Sequence, residues 1–329
     1  MKKSALILGI TGQDGSYMAD LLLDKGYDIY GLIRRTSSSG TKRIDHCIGD
    51  INLIHGDITD KSSLEHAVRI SQPHEIYNLA AQSHVHTSFE APLHTEEVNG
   101  RGVVNLLETM RLHAPEAKLY QASSSEMFGN AVHSPQSEAT PFNPVSPYAC
   151  SKVYAHYMCQ IYRKSYKLFV VCGIAFNHES PRRGEEFVTR KITQAIAEIK
   201  AKKRDNLSLG NIHAKRDWSH ARDIMRGAWM AIQHNIPDDY VFASGKSHSV
   251  MEFLEVAFNY ADLEWTRYVK HGNTQLLRPN EVNTLCGNPE KAYNNLGWVN
   301  TVSFNQLVKE MVSHDLAEAG HSHTNKKLV

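Results

Sequence analysis

Residues 6–17 of this chain read LILGITGQDGSY. The apolar run at 6–8 ends in three glycines, each separated from the next by two residues, and the apolar spacing at 18–23 is typical of a helix that packs on a sheet. The stretch therefore predicts a strand, a tight turn and a helix start. Glycines in such a turn let the backbone approach a pyrophosphate, and the free N–H groups of the helix attract its charge. We predict a dinucleotide site with contacts from Gly9, Thr11, Gly12, Gln13, Asp14 and Gly15.

Apolar segments alternate with helical patterns downstream of this turn. They predict strands at 28–33, 51–58, 75–81 and 118–125, and a long helix at 93–112. This alternation indicates right-handed crossovers and a parallel sheet, whose ligands collect at the C-terminal ends of the strands. The predicted fold class is α/β, a Rossmann-type doubly wound parallel sheet with a smaller α/β C-terminal substrate-binding lobe.

Longer loops, rich in proline and charge, become frequent from about residue 177 onward. Such loops carry specificity more often than scaffold. We therefore predict a cofactor-binding Rossmann domain at 1–176, with a returning segment at about 213–245. The substrate-binding lobe is expected at 177–212 and 246–318, followed by a flexible tail at 319–329.

Two arginines, Arg34 and Arg35, follow the second predicted strand, and hydroxyl residues occupy 36–39 after them. NAD-binding proteins of this type place an acidic residue here, about 20 residues past the glycines, where it holds the ribose 2′-hydroxyl. Arginines and hydroxyls suit a 2′-phosphate instead. We therefore predict NADP as the cofactor, with a solvated basic loop as the alternative.

The ends of the third and fourth strands are expected to supply further cofactor contacts. Asp57 is placed to accept from the adenine amine; in the alternative it only caps the helix that starts near Lys61, and the two roles are compatible. The small side chains of Ala80 and Ala81 let the cofactor lie close to the sheet. The contacts predicted at these strand ends are Asp57, Ile58, Leu79, Ala80, Ala81 and Ser83.

Residues 146–152 read SPYACSK and carry the predicted chemistry. Ser146 is a good N-cap and Pro147 fits the first helical position, so Tyr148 and Lys152 lie at i and i+4 on one helical face. A phenol, with a pKa of about 10, is a poor base at neutral pH, but a nearby ammonium stabilises the phenolate. The same lysine can donate to the nicotinamide ribose. The alternative is a partly buried tyrosine beside a surface lysine.

The fifth strand ends near Ser124 and Glu126, which in extended chain point the same way at the cofactor edge of the sheet. Ser124 can donate a hydrogen bond to a substrate oxygen beside Tyr148. Glu126 supplies a second acid or base, which a simple dehydrogenase does not need. The alternative is a carboxylate that caps a helix or forms a surface ion pair.

Composition argues against several classes of partner and site. The 329 residues carry a formal net charge of +1, with 41% hydrophobic and 22% charged residues, which favours neither nucleic acid nor a membrane surface. Five cysteines form no metal-type pair or disulfide framework, and no signal-peptide pattern precedes the first strand, so we expect a cytoplasmic location. The histidine pairs at 84/86 and 321/323 have no third and fourth ligand of fitting spacing, and we expect no metal site.

The glycine turn and the Tyr148–Lys152 pair together resemble the extended short-chain dehydrogenase/reductase superfamily. Over nearly the whole chain, 5–316, the sequence is similar to the GDP-mannose 4,6-dehydratase family. The segments that carry this closer resemblance are 9–17, 34–35, 123–126, 176–184, 187–192, 216–218 and 278–282. The run at 176–184, FNHESPRRG, is the most specific of them, because most sister enzymes lack it.

The resemblance implies a role for each candidate catalytic residue. Tyr148, assisted by Lys152, takes the proton of the sugar 4-hydroxyl while hydride leaves C4 for NADP. Glu126 then removes the C5 proton and helps to expel the 6-hydroxyl as water, and hydride returns to C6. The expected conversion is GDP-D-mannose to GDP-4-keto-6-deoxy-D-mannose. Ser124 stands where the family usually has threonine, so the hydroxyl is kept.

A nucleotide-sugar diphosphate needs cationic partners, and arginine forks suit it. Arg216 and Arg278, in predicted loops of the second lobe, are the candidates, with a plain ion pair between Arg216 and Asp217 as the alternative. The resemblance implies that His178 and Arg183 face the cofactor. The substrate contacts that we expect are Ser83, Ser124, Glu126, Asn177, Val188, Lys191, Gly210, Arg216, Arg278 and Glu281.

The family also implies a homo-oligomer, tetramer or dimer, in which residues 34–39 reach a neighbouring subunit. The connection at 266–277 is shorter than in many members, so a GDP-heptose of manno configuration, which needs more room near C6, is an alternative substrate. A 4-epimerase, or a reductase of the 4-keto product, is a further alternative that requires no carboxylate at Glu126. An NADP-sensing protein without catalysis is disfavoured, because all four candidate catalytic residues are present.

Overall fold

The structure, a computed structural model, describes residues 2–36 and 40–324, the last four by their backbone alone. Residues 37–39, part of the predicted hydroxyl-rich loop, lie outside the described residues. The strands within the described ranges are β1 (Ser4–Leu8), β2 (Asp28–Ile33), β3 (Ile51–His55), β4 (Glu75–Asn78), β5 (Lys118–Ser124), β6 (Phe169–Ala175), β7 (Asn177–Glu179), β8 (Leu207–Ser208), β9 (Lys215–His220), β10 (Asp239–Phe242), β11 (Ser247–Ser249) and β12 (Val269–Lys270). The helices are α1 (Gln13–Asp24), α2 (Lys61–Ser71), α3 (Val85–Glu90), α4 (Pro92–Glu96), α5 (Gly102–His113), α6 (Pro147–Ser165), α7 (Val188–Lys200), α8 (Ala221–Gln233), α9 (Val250–Tyr260), α10 (Glu290–Leu296) and α11 (Phe304–Thr324).

In the described part of the chain, seven parallel strands form one large sheet in the order β10–β6–β5–β4–β1–β2–β3. The strands predicted at 28–33 and 118–125 are confirmed as β2 and β5, and those predicted at 51–58 and 75–81 as the shorter β3 and β4. Because β1 lies between β2 and β4, the chain winds outward in both directions and leaves a crevice at the C-terminal ends of β1 and β4. The predicted α/β fold class with a doubly wound parallel sheet is confirmed.

Helices cover both faces of the large sheet, which explains why its strands read as continuous apolar runs. On one face Ile7 shares a buried core with Leu22 of α1 and Met225 of α8. Leu6 points to the opposite face, where it packs in a second core with Leu106 of α5. The faces are therefore occupied by packing, and the strand ends are left for ligands.

The helix predicted at 93–112 is divided by a π turn at Glu97–Arg101 into α4 and α5. The side chain of Asn99, in this turn, bonds the backbone of Gln82 twice, accepting from its N–H and donating to its carbonyl oxygen, both at 2.9 Å. A polar side chain in the widened turn thus holds the loop that follows β4.

A smaller α/β layer lies beside the large sheet. β7 and β9 are parallel and β9 and β11 antiparallel in a second sheet, while α7, α9 and α11 enclose a core that includes Ile196, Phe253 and Met311. The chain returns to the first core through α8 and β10; the domain boundaries at 176, 213 and 245 stay predictions. α11 continues to Thr324, so the tail predicted at 319–329 begins as helix, and 325–329 lie outside the described residues. No described helix combines the length and the apolar composition that a membrane crossing requires.

Candidate active site

The glycine-rich turn between β1 and α1 presents its backbone to an open cleft. Gly9 has φ +80°, and a Cβ there would lie 2.8 Å from the backbone N of Ala80. A Cβ at Gly15 would lie 2.2 Å from the carbonyl oxygen of Gly9. Only glycine therefore lets the turn lie so close to the end of β4 and to itself, which fits the approach of a pyrophosphate to this backbone.

A cleft of about 480 Å³ opens where this turn meets the ends of β2, β3 and β4. The predicted cofactor residues that line it are Gly9, Thr11, Gly12, Gln13, Asp14, Gly15, Arg34, Asp57, Ile58, Leu79, Ala80, Ala81, Ser83 and Arg183. Among the described residues predicted to contact the cofactor, Arg35, Tyr148, Lys152 and His178 are not in this lining. A glycine cradle, two small alanines and arginines at the rim fit a dinucleotide.

Arg43 also lines the cleft, and sequence reasoning missed it. Its Nε donates to the carbonyl oxygen of Arg182 at 2.7 Å and its Nη1 to that of Thr11 at 3.3 Å. These bonds fix the guanidinium beside the glycine turn, in the same lining as Arg34 and Arg183. The only signal in the sequence is one more arginine in the β2–β3 connection. The other lining residues that were not predicted are Leu32, Gly56, Gln82, His84, His94, Val98, Gly184, Glu186 and Phe187.

Asp57 lies in the cleft lining, where its Oδ1 accepts from the backbone N and the hydroxyl of Thr59 at 2.9 and 2.8 Å. The N-cap of α2 is Asp60, whose side chain accepts from the backbone N of Ser62 at 3.0 Å. The alternative that Asp57 caps this helix is therefore wrong, because the cap position falls on the later aspartate.

Asp14 joins the glycine turn to His178, which lies in β7 of the second sheet. Its Oδ2 lies 2.8 Å from Nε2 of His178, whose Nδ1 lies 2.7 Å from the carbonyl oxygen of Phe176. Burial opposes charge on both groups, but their pairing outweighs it, lowering the pKa of Asp14 and raising the pKa of His178. With an acceptor beside each ring nitrogen, we assign His178 as an imidazolium that donates to both. An ion pair thus ties the turn to β7.

Helix α6 begins as predicted. Ser146 is the N-cap, accepting from a backbone N–H of the first turn at 3.1 Å, and Pro147 is the first helical residue. Tyr148 and Lys152 are 8% and 4% exposed, so the alternative of a surface lysine is wrong. The Lys152 Nζ donates to the carbonyl oxygen of Ala122 at 2.9 Å and lies 5.9 Å from the centre of the Tyr148 ring. The pair is therefore held at the end of β5.

Burial shifts the pKa of both members of this pair. It raises the pKa of Tyr148 to about 12, against a lowering contribution from the Ser124 hydroxyl. It lowers the pKa of Lys152 to about 8, with the Asp14 carboxylate acting in the opposite direction. At neutral pH the lysine therefore still carries most of its charge, close to the Tyr148 ring.

Glu126 does not continue the strand, contrary to the expectation of extended chain at this position. β5 ends at Ser124, and Ser125–Phe128 forms a 3-10 turn. The Ser124 Oγ caps this turn by accepting from the backbone N of Glu126 at 3.2 Å. Both side chains are buried, at 8% and 7% exposure, so the alternative of a surface carboxylate is wrong. The 3-10 turn therefore changes the direction of the Glu126 side chain but keeps the residue at the end of β5.

The Glu126 carboxylate faces two arginines from the smaller layer. Its Oε1 lies 3.3 Å from Nη1 of Arg278 and 4.0 Å from Nε of Arg216. Arg216 is fixed by bonds from Nη1 to the carbonyl oxygen of Val282 at 2.8 Å and from Nη2 to Oε1 of Glu281 at 3.3 Å. The predicted base and the predicted diphosphate-binding cations therefore share one site.

Arg216 lies in β9, not in the loop expected from the sequence. Its neighbour Asp217 faces the other side of the strand, where it accepts from the backbone N of Ser244 and Gly245 at 2.8 and 2.9 Å. The alternative of an Arg216–Asp217 ion pair is therefore wrong.

The other predicted substrate residues come from separate elements. Asn177, in β7, has a buried Oδ1 without a hydrogen-bond partner among the described residues. Val188 and Lys191 lie exposed in the first turn of α7, and a Cβ at Gly210 would lie 3.1 Å from the carbonyl oxygen of Leu276. A buried acceptor without a partner is costly unless a ligand or water donates to it, which marks Asn177 as a candidate binding residue.

The first histidine pair singled out in the sequence has one member, His84, in the cleft lining. His84 is the N-cap of α3, accepting from the backbone N of Thr87, and its ring lies 6.3 Å from that of His86. The side chains of His321 and His323 lie outside the described residues. Potential metal ligands gather, in the described ranges, as Asp20 with His46 and Cys47, His156 with Cys172 and Asp239, and His314 with Asp315 and Glu318.

Known proteins are similar to this chain in sequence and in fold. The sequence model of the family described as GDP-mannose 4,6 dehydratase matches residues 6–311. GDP-mannose 4,6 dehydratase 1 of Arabidopsis thaliana is 49% identical over 96% of this chain and 90% of its own length. GDP-mannose 4,6-dehydratase of Yersinia enterocolitica is 46% identical over 96% of this chain and 95% of its own length. In fold, the chain is similar to dTDP-glucose 4,6-dehydratase of Streptomyces venezuelae with NAD and TYD bound, with a TM-score of 0.84 and 21% identity over 96% of this chain and 98% of that one. The chain belongs to the GDP-mannose 4,6-dehydratase family.

Proposed function

We propose that this protein is a nucleotide-sugar 4,6-dehydratase, a lyase that converts GDP-D-mannose to GDP-4-keto-6-deoxy-D-mannose with loss of water. The observation that carries the proposal is the meeting of two different acid–base groups at the end of β5. Tyr148, assisted by Lys152, acts in an oxidation, and Glu126 acts in an elimination. A 4-epimerase or a simple reductase needs only the first of these groups.

Tyr148 acts as the base at the sugar 4-hydroxyl. Its phenolate takes that proton, Ser124 donates a hydrogen bond to the same oxygen, and Lys152 stabilises the negative charge. Lys152 is fixed for this purpose by its bond to the carbonyl oxygen of Ala122. Its pKa of about 8 keeps it largely protonated at neutral pH, which is the state that favours the phenolate.

Glu126 acts on the other half of the reaction. Its carboxylate removes the C5 proton, which the 4-keto group has made acidic, and delivers a proton to the departing 6-hydroxyl so that water leaves. The Arg278 and Arg216 guanidiniums lie beside it, at 3.3 and 4.0 Å from Oε1. A bound nicotinamide cofactor supplies the hydride acceptor for C4 and returns the hydride to C6, so the reaction has no net oxidation.

We propose NADP as the cofactor. The glycine turn, Ala80 and Ala81 support a dinucleotide in the cleft. Arg34, directly after β2, and Arg43, beside the glycine turn, each supply a cation to its lining. A 2′-phosphate is the part of NADP that such a pair would hold.

The diphosphate of the substrate is assigned to Arg216 and Arg278. Arg216 is almost completely buried but keeps Nε directed toward Glu126, and Arg278 is 28% exposed beside it. Asn177 offers an acceptor for a substrate hydroxyl or amide, because its buried oxygen has no partner in the described part of the protein. Val188, Lys191, Gly210 and Glu281 complete the proposed substrate contacts.

Incubation with GDP-mannose and a catalytic amount of NADP, read by mass spectrometry of the sugar nucleotide, tests the proposal. Loss of one water without accumulation of NADPH is expected. The folded, NADP-loaded protein could instead leave GDP-mannose unchanged and dehydrate GDP-manno-heptose. That result would keep the proposed reaction and replace mannose by the heptose as the substrate sugar. Release of NADPH in proportion to product would contradict internal hydride transfer.

We further propose a homo-oligomer in the cytoplasm. Tyr154, Tyr157 and Ile161 are 48 to 49% exposed in a stripe on α6, on the side away from the sheet. A symmetric contact with a second copy would cover this stripe. Sedimentation equilibrium distinguishes dimer from tetramer, and a monomer at micromolar concentration would rule out the assembly.

A further inference from the structure

Beyond the catalytic pair, the sheet-facing side of α6 carries polar groups among apolar ones such as Ala155 and Cys159. Three further polar side chains, His156, Gln160 and Arg163, follow Tyr148 and Lys152 at helical spacing. His156 is 1% exposed, and its ring meets the Phe142 ring edge-on at 5.2 Å between centres. A helix face against a sheet is ordinarily apolar, so buried polar groups in a row require specific partners.

Asp239, at the start of β10, is the common partner of these three side chains. Its Oδ2 accepts from Nε2 of Gln160 at 2.7 Å and lies 3.5 Å from Nε2 of His156. Its Oδ1 accepts from Nη2 of Arg163 at 2.5 Å. The carboxylate therefore anchors one edge of the His156 ring.

The other edge of the ring reaches β5. Nδ1 of His156 lies 3.0 Å from Oγ of Ser123. The neighbours of Ser123 in β5 are held by the same helix: the carbonyl oxygen of Ala122 accepts from Lys152 at 2.9 Å, and the Ser124 hydroxyl interacts with Tyr148. Three consecutive residues of β5 are thus tied to three successive turns of α6.

Gln160 adds a further contact to the anchor of the His156 ring. Nε2 of Gln160 also lies 3.1 Å from Nε2 of His156, so Gln160 and Asp239 hold one edge of the ring while Ser123 holds the other.

We propose that His156, held by Asp239, is a positioning residue for catalysis. By bonding Ser123 it fixes the last residues of β5 against α6, and so sets the distance between Ser124 and Tyr148. The same anchor lies just before the 3-10 turn that carries Glu126. This inference rests on the proposed function, because it assumes that Ser124, Tyr148 and Glu126 perform the chemistry.

A metal ion is the competing interpretation of the cluster, since His156, Cys172 and Asp239 gather their ligand atoms closely. The Arg163 guanidinium argues against it. Its Nη2 lies 2.5 Å from Asp239 and 3.8 Å from Sγ of Cys172, where a cation would have to bind. The Ser123 hydroxyl also occupies Nδ1 of the histidine. The cluster is therefore filled by the protein's own groups.

Ser123→Ala removes the link with the smallest change in volume. We expect kcat for dehydration to fall about tenfold, while KM for GDP-mannose and the Kd for NADP stay within about twofold, because the cleft and its arginines are untouched. Ser123→Thr keeps the hydroxyl and should restore kcat. Ser71→Ala is the matched control, since Ser71 is buried but donates only to its own helix, at the carbonyl oxygen of Ala67.

A double-mutant cycle separates positioning from stability. His156→Phe keeps a ring but removes both bonds, and combined with Ser123→Ala it should lower kcat no further than either change alone. Should His156→Phe fail to fold, the comparison of Ser123→Ala with Ser123→Thr still decides. Full kcat in Ser123→Ala, or a loss of kcat that Ser123→Thr does not restore, would overturn the inference. Tyr148→Phe is run alongside, and undiminished turnover in that variant would reject the proposed function itself.

Discussion

The Arg278 guanidinium lies 3.3 Å from the Glu126 carboxylate, so a residue assigned to the substrate diphosphate is paired with the residue assigned to proton transfer. Arg216, 4.0 Å from the same oxygen, is held in place by Val282 and Glu281 and has little freedom to leave. Arg278 lies in the loop after β12 and is partly exposed. Of the two cations, Arg278 is the one that can turn from the carboxylate to a diphosphate.

Arg278→Gln should therefore weaken substrate binding. Loss of one charge-assisted hydrogen bond to the diphosphate raises KM for GDP-mannose about 10- to 100-fold. Steady-state kinetics with saturating NADP measures the effect. Arg267→Gln is the control, because Arg267 is exposed and pairs with Glu264 at 2.6 Å. An unchanged KM in Arg278→Gln would place the diphosphate elsewhere.

Glu126→Gln should keep the fold and NADP binding but lose dehydration by about 100-fold or more, the usual contribution of a positioned acid or base. The amide fills the same volume, and Arg216 keeps its bonds to Val282 and Glu281. Product formation followed by mass spectrometry, with NADP binding measured in parallel, tests this. Full turnover in the variant would remove Glu126 from the mechanism.

Much of this site follows from local sequence patterns. The glycine turn and the Tyr148–Lys152 spacing depend on residues within one or two turns of each other, and the structure has them in the predicted elements. The strands β2 and β5 were predicted from their apolar runs to within one residue. Such features depend on backbone geometry and hydrophobic periodicity, which are determined by residues close together in the sequence.

Features set by tertiary contact were not predictable in the same way. The extended conformation expected at Glu126 gives way to a 3-10 turn that Ser124 caps. Arg43 reaches the cleft only because Arg182 and Thr11 offer it carbonyl oxygens from distant segments. No period in the sequence signals such pairings, since their partners lie more than thirty positions away for Thr11 and more than a hundred for Arg182.

Arg34→Ala should weaken NADP more than NAD, because only NADP carries the 2′-phosphate. Loss of a charge-assisted bond predicts a rise in the Kd for NADP of about 10-fold or more, with little change for NAD. Fluorescence or calorimetric titration with both cofactors measures the ratio. Arg267→Ala is the control, because Arg267 is exposed, pairs with Glu264 and lies outside the cleft lining. Equal loss for both cofactors in Arg34→Ala would contradict the assignment.

Lys152→Met should stabilise the cofactor-free protein at neutral pH, because burial lowers the pKa of Lys152 from 10.5 to about 8. Between these two values the unfolded chain binds a proton that the folded chain does not, so wild-type stability rises with pH across this window. The shift lowers the free energy of unfolding of the wild type by about 3 kcal/mol at pH 7. The variant lacks the hydrogen bond to Ala122, which lowers its own free energy of unfolding by about 1 kcal/mol. The free energy of unfolding, measured by denaturant titration, should therefore be about 2 kcal/mol higher in the variant at pH 7 and nearly equal at pH 10. Lys309→Met, at an exposed position of α11, controls for loss of a lysine. A gain from Lys152→Met that does not change with pH would show that the buried charge is not its source.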